Sequence, residues 1–324
     1  MRQGRACTVR RLIGLTSLLT IFTVGIAVAA VPEVVLNEPN VEESHGSASD
    51  GYLVWSANSE ERPRRYHSYV RPDGGQPVRI NPRGVQSYSV AIDDTTIVYE
   101  ETDRDDSDLY FTDAVTPDRQ SPPDGVNTRA IETHPSLSGD YLLFTRTNFN
   151  RVGFRRAWTR VILFNLITGD ETVLRERSVA RSYLDSDQVN GDWATFESCR
   201  YQDGRFSNCN VFRYEISATD LTRIENPGLQ QYGAGVDADG TVFLTRSGSA
   251  SHWRCGLHAK IVRMPLAGPG EVIARLPNGK DALTTFAFDE MGGSTTLYFD
   301  RLACRTGASG IYRIPDADTV TVTA

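Results

Sequence analysis

At 324 residues the chain is long enough for one large or two ordinary domains with an ample core. A content of 40% hydrophobic and 23% charged residues is ordinary for a globular protein and too apolar for a disordered one. The formal charge of −7 argues against a general nucleic-acid binder.

The N-terminus reads M-R-Q-G-R-A-C-T-V-R-R, a basic stretch followed by an apolar run from Leu12 to Ala30. The run ends in A-V-A-A, small residues of the kind signal peptidase accepts, so residues 1–30 are read as a secretion signal. A retained membrane anchor is the competing reading, because the run is just long enough to span a bilayer. Cys7 lies before the run, which speaks against a lipid anchor. Cleavage would remove four arginines and leave a charge of −11. The mature chain is expected to be extracytoplasmic, off the membrane and monomeric. Residues 31–42, V-P-E-V-V-L-N-E-P-N-V-E, hold a candidate strand that clasps the fold, with its prolines counting against it.

From residue 43 onward the chain repeats itself. S-H-G-S-A-S-D-G-Y-L-V-W-S-A, from Ser44, lies without a gap over T-H-P-S-L-S-G-D-Y-L-L-F-T-R, from Thr133, so that His45 meets His134. The strand after each Asp/Gly-rich turn recurs as D-G-Y-L-V-W, D-T-T-I-V-Y, G-D-Y-L-L-F, G-D-W-A-T-F, D-G-T-V-F-L and S-T-T-L-Y-F. Its third residue falls at 52, 96, 141, 193, 241 and 296, a near-regular spacing. Each such strand is almost continuously apolar, as expected of one buried on both faces.

A third strand follows in every unit: Y-H-S-Y-V, D-L-Y-F-T, V-I-L-F-N, V-F-R-Y-E, K-I-V-R-M and G-I-Y-R-I. A fourth closes the unit, as P-V-R-I-N, E-T-V-L-R, L-T-R-I-E, E-V-I-A-R or, in the last, T-V-T-V-T. In the second unit T-P-D-R-Q-S-P-P is too rich in proline to mark one clearly. Units of four short strands cannot bury both faces alone and must stack. The prediction is an all-β fold, a six-bladed β-propeller of four-stranded antiparallel blades over residues 43–324.

H-P-S-L-S-G-D-Y-L-L-F-T-R, beginning at His134, resembles the TolB-type propeller repeat, in which a Pro-x-x-Ser-Pro-Asp-Gly-like turn precedes an apolar strand. D-G-Y-L-V-W and D-A-D-G-T-V-F-L resemble it more loosely. The resemblance implies the fold and a tendency to bind proteins or small ligands.

Candidate sites follow from blade geometry. His45 and His134 begin innermost strands, so both should reach one channel mouth, with Asp187, Asp237 and Asp289 on equivalent strands. Two imidazoles among carboxylates suit a metal or acid–base chemistry, while a structural role at strand starts is the simpler reading. Loops between second and third strands share a rim with the blade-to-blade connections. There Arg155, Trp158, His252 and Trp253 set arginine and imidazole beside aromatic rings, as in sugar, anion or peptide surfaces. D-R-D-D-S-D, from Asp103, lacks the Gly and distal Glu of an EF-hand and reads as a charged loop.

Four cysteines follow the signal. Cys199 and Cys209 flank Asp203-Gly204 symmetrically, as a hairpin disulfide requires, and Cys255 and Cys304 occupy equivalent loops of neighbouring blades, which a second disulfide would staple together. No dinucleotide, P-loop or serine-hydrolase fingerprint is present. The expected function is a secreted scaffold presenting its loop face and channel mouth to a protein or carbohydrate ligand, with neither metal nor cofactor. The alternative is a metal-assisted polysaccharide lyase or hydrolase using the channel histidines.

Overall fold

The computed structural model describes residues 32–38, 41–59, 62–103, 106–149, 157–202, 205–225, 228–247, 259–275, 281–291, 294–303 and 309–320. The signal segment 1–30, Arg155, His252, Trp253, Cys255 and Cys304 lie outside the described residues. Every regular element among those described is a β-strand.

After β1 (Glu33–Leu36) the strands fall into consecutive groups. The first blade is β2 (Glu43–Ser49), β3 (Tyr52–Ser59), β4 (Arg62–Pro72) and β5 (Val78–Arg79). The second is β6 (Val90–Asp93), β7 (Thr96–Asp103) and β8 (Asp106–Asp113). The third is β9 (Ile131–Ser138), β10 (Tyr141–Asn148), β11 (Trp158–Asn165) and β12 (Glu171–Ser178). The fourth is β13 (Ser182–Asn190), β14 (Trp193–Gln202), β15 (Arg205–Glu215) and β16 (Asp220–Arg223). The fifth is β17 (Gln230–Val236), β18 (Val242–Ser247), β19 (Lys260–Met264) and β20 (Glu271–Arg275). The sixth has β21 (Asp281–Met291), β22 (Ser294–Ala303) and β23 (Ser309–Ile314).

All neighbours within a blade pair antiparallel, and the first strands β2, β6, β9, β13, β17 and β21 touch one another in closed cyclic order. The molecule is a six-bladed propeller with those strands innermost. Blade two has three strands, and an isolated bridge between Phe111 and Gln120 stands where a fourth would be. The prolines around Gln120 lack the donors a full ladder needs.

The last blade corrects the expectation for T-V-T-V-T. Its outer strand is β1, pairing Glu33 with Arg313 and Val34 with Tyr312. Thr319 and Val320 form no strand, and residues 321–323 lie outside the described set.

The core lies between the blades. Second strands send alternate side chains to opposite neighbours: Val54 packs with Ile92 and Ile97 of blade two, while Leu53 and Trp55 pack with Tyr298 and Ile311 of blade six. Equivalent clusters fill each remaining interface, such as Leu143 with Leu184 and Phe196, and Phe243 with Phe288 and Leu297. Burial on both faces is why these strands carry apolar residues in succession.

One irregularity recurs around the ring. In each blade the inner strand holds one residue more than the second strand opposite it. In blade one, for example, the register steps from Ser44↔Ser56 to Ser47↔Val54. Bulges of this kind re-aim side chains and free backbone N–H groups from the ladder. Here the extra residues turn into the central channel, and His45, His134 and Gly233 adopt φ of 55°, 52° and 51° at these points.

Candidate functional site: an acidic channel chamber

Freed backbone donors must find acceptors when buried. Each second strand carries a buried polar residue after its large buried side chain, Ser56, Glu100, Thr145, Glu197, Thr245 and Asp300, and three of them accept a freed N–H from the next blade. Thr145 Oγ1 accepts the N–H of Ser186 in the next blade at 2.8 Å. Glu197 Oε2 accepts that of Gly233 at 3.0 Å. Across the closing interface Asp300 accepts the N–H groups of His45 at 2.6 Å and Gly46 at 3.3 Å. The same side chains that tie blade to blade therefore place carboxylates beside the channel.

The channel holds a cavity of about 750 Å³. At the half nearer the blade-to-blade connections, His45 from blade one and His134 from blade three meet with ring centroids 5.8 Å apart. His134 Nδ1 lies 2.9 Å from Asp185 Oδ1, and the Tyr183 hydroxyl donates to Asp185 Oδ2 at 2.5 Å. Phe206, on the extended β14–β15 hairpin, packs its ring 5.0 Å from that of Tyr183. The hairpin is fastened by the disulfide between Cys199 and Cys209, with Asn208 beside it at φ 50°.

Electrostatics divide these groups sharply. Protein surrounds them deep in the channel, although a third of the His134 side-chain surface (33%) still faces the void. Burial, and then the neighbouring His134, press His45 down to about 3. Burial would depress His134 too, but the Asp185 carboxylate overrides it and holds the imidazole at about 9. Asp185, which burial alone would raise, is drawn below the ordinary range by His134 and the Tyr183 hydrogen bond. Burial followed by the Asp185 charge lifts Glu197 to about 8, and burial with Glu197 and Asp185 lifts Asp187 well above its usual value. At neutral pH His45 is thus neutral and His134 protonated beside the Asp185 carboxylate, while Glu197 and Asp187 hold their protons more tightly than free acids do.

The lining as a whole is one-sided. Eleven Asp and Glu residues and two His line the cavity, without a single Lys or Arg among the described residues. Asp187 Oδ2 is buried and accepts no hydrogen bond from them. Tyr66, Tyr88 and Tyr232 add amphipathic rings.

Of the expected site residues, His45, His134 and Asp187 do converge. Asp289 lines the channel too, in register with Thr296 toward the opposite mouth. Asp237 lies one residue past β17, where its Oδ1 accepts the N–H groups of Asp239 at 3.0 Å and Thr241 at 2.8 Å. That is a turn-building role, outside the channel lining. Trp158 stands at the start of β11 with the Arg160 guanidinium 4.0 Å over its ring, also away from the channel. Asp185, Glu197 and Asp300 were not anticipated. The signal for Glu197 and Asp300 was a polar residue interrupting each buried second strand at one fixed place, whereas Asp185 lies on the inner strand β13.

The chain is similar to a TolB-like protein from Agrobacterium tumefaciens, with a TM-score of 0.53 and 13% identity over 84% of this chain and 90% of that one. The likeness is one of propeller fold. An oligogalacturonate lyase in complex with manganese matches with a TM-score of 0.50 and 12% identity, over 87% of this chain and 84% of that one. An acylaminoacyl peptidase from Pyrococcus horikoshii matches at 0.51 and 11%, over 81% of this chain. The propeller spans 43% of that peptidase's length, and 50% of a prolyl endopeptidase's. These likenesses concern the fold alone. At the level of sequence, no family model and no curated protein matches.

Proposed function

We propose that the protein is a binding propeller that admits an uncharged or amine-bearing carbohydrate into its channel from the connection rim. One observation carries the reading: a lining with eleven acids and no Lys or Arg among the described residues. Carboxylates accept sugar hydroxyl and ammonium donors, and tyrosine rings present an apolar face with a polar tip. An anionic sugar would meet the ionised carboxylates of the lining with only the His134 imidazolium to offset them, and would lose its hydration for little return. The Cys199–Cys209 bridge supports an oxidising, extracytoplasmic setting.

The manganese of the oligogalacturonate lyase raises a metal-assisted reading for the histidines. No three His, Cys, Asp or Glu side chains among the described residues group as a metal cage, and His134 Nδ1 is already engaged by Asp185. These residues do not fit a metal, and no step is routed through one.

Calorimetric titration tests the proposal with neutral β-glucan oligomers, chitosan oligomers and oligogalacturonate at one ionic strength. Saturable binding of either of the first two, with oligogalacturonate the weakest, is expected. Tightest binding by oligogalacturonate would overturn it.

A further inference from the structure

A second cavity lies on the same rim, in the cleft between blades three and four, and it carries the opposite charge. Arg175 and Arg177 enter it from β12, Arg200 from β14 and Arg223 from β16, around a volume of about 290 Å³. None of the ten residues that line it is acidic. Among the described residues, none of the four arginines makes an ion pair with a carboxylate.

The cluster is built rather than incidental. The Arg175 guanidinium is stacked 4.4 Å over the Phe212 ring, which fixes its plane. Its Nε is buried and finds no hydrogen-bond acceptor among the described residues. A buried donor left unpaired is costly, more so on a charged group. Burial, with Arg177 adding repulsion, also weakens the hold of Arg175 on its proton. Ser182, Ser198, Asn208 and Asn210 supply neutral donors around the arginines. The floor is stiff, because Cys199 lines the cleft and is tied to Cys209. In a chain of net charge −7, four cations gathered without a counter-charge call for an anion from outside.

We propose that this cleft is a binding site for a tetrahedral oxyanion, the phosphate or sulfate group of an ester ligand. Guanidinium forks present paired donors in a plane, the geometry that holds such oxyanions bidentately. A pocket of this size takes one such group with its nearest substituent, not a folded chain. The site is separate from the channel and does not depend on its ligand being a carbohydrate.

The test is calorimetric titration of the full chain with inorganic phosphate and with inorganic sulfate, sodium chloride holding ionic strength constant. One saturable site is expected, and the tighter of the two anions identifies the ester. Arg175→Gln and Arg223→Gln should each weaken binding about tenfold to a hundredfold, the loss of one charge-assisted contact. Should Arg175→Gln fail to fold, Arg223→Gln and Arg200→Gln decide, because both side chains are exposed. Heats that never saturate for either anion, or wild-type affinity retained in the exposed variants, would overturn the site.

Discussion

Glu197→Gln is the most direct probe of the chamber. Glu197 is 3% exposed, and burial first and the Asp185 charge second hold its carboxyl at about 8 against an ordinary 4.5. The folded protein then keeps a proton that the unfolded chain releases, so stability is lost as pH rises from 4.5 through about 8. Glutamine has no such proton, and its amide oxygen can still accept the Gly233 N–H now made at 3.0 Å. The variant should match the wild type near pH 4.5 and gain on it steadily until the wild-type carboxyl is fully ionised. At ~1.4 kcal/mol per tenfold change in proton affinity the ceiling is about 5 kcal/mol. Channel water and the charge shared with Asp185 reduce the expected gain to roughly 1–3 kcal/mol. Urea-unfolding midpoints at about pH 4.5, 6.5 and 8.5 measure it. A difference that stays constant with pH, or a variant less stable at the alkaline end, would refute the reasoning.

Three further outcomes are expected. Asp300→Ala removes the acceptor shared by the His45 and Gly46 N–H groups and should cost ~2–4 kcal/mol in urea unfolding; a loss below ~0.5 kcal/mol would show that water replaces it. Arg146→Ala strands Glu132, whose side chain is fully buried at 2.9 Å from the guanidinium, and should cost ~3–5 kcal/mol at pH 8. Burial already lifts Glu132 to about 7, so protonation at pH 5 should shrink that loss; thermal melts showing equal losses at both values would contradict it. Reducing the Cys199–Cys209 bridge, which closes a loop of sequence separation 10, should lower stability by about 3 kcal/mol, and Cys199→Ser with Cys209→Ser should abolish the reductant's effect.

The blades were legible because each second strand must be apolar on both faces, a demand that leaves a repeated signature in single letters. Y-L-V-W, Y-L-L-F and W-A-T-F all proved to be second strands, and the proline-rich tract in blade two did weaken its fourth position. The last outer strand was legible only as one of two candidates, the clasp segment 31–42 and the C-terminal T-V-T-V-T. Both E-V-V-L and T-V-T-V-T have strand character, and only ring geometry decides which of them lies beside β23. His45 and His134 could be paired in advance because they share a register. Glu197 and Asp300 were hidden inside strands read for their apolar neighbours, although Ser56, Glu100 and Thr145 mark the same place in other blades. Asp237 was placed by alignment alone. One residue beyond the strand end, its carboxylate serves the turn instead. The arginine cleft had no linear signal, since β12, β14 and β16 contribute to it across two blades.

Because β1 completes the blade that β23 ends, the pairing that closes this ring joins its earliest described strand to its latest, and it can form only once β23 has been made. Until Ile311 has emerged, Leu36 has only the blade-one side of its cluster, Ala48, Leu53, Trp55 and Ala57, to pack against. A tag or fusion joined just ahead of Pro32 would therefore be attached next to the strand that makes this pairing.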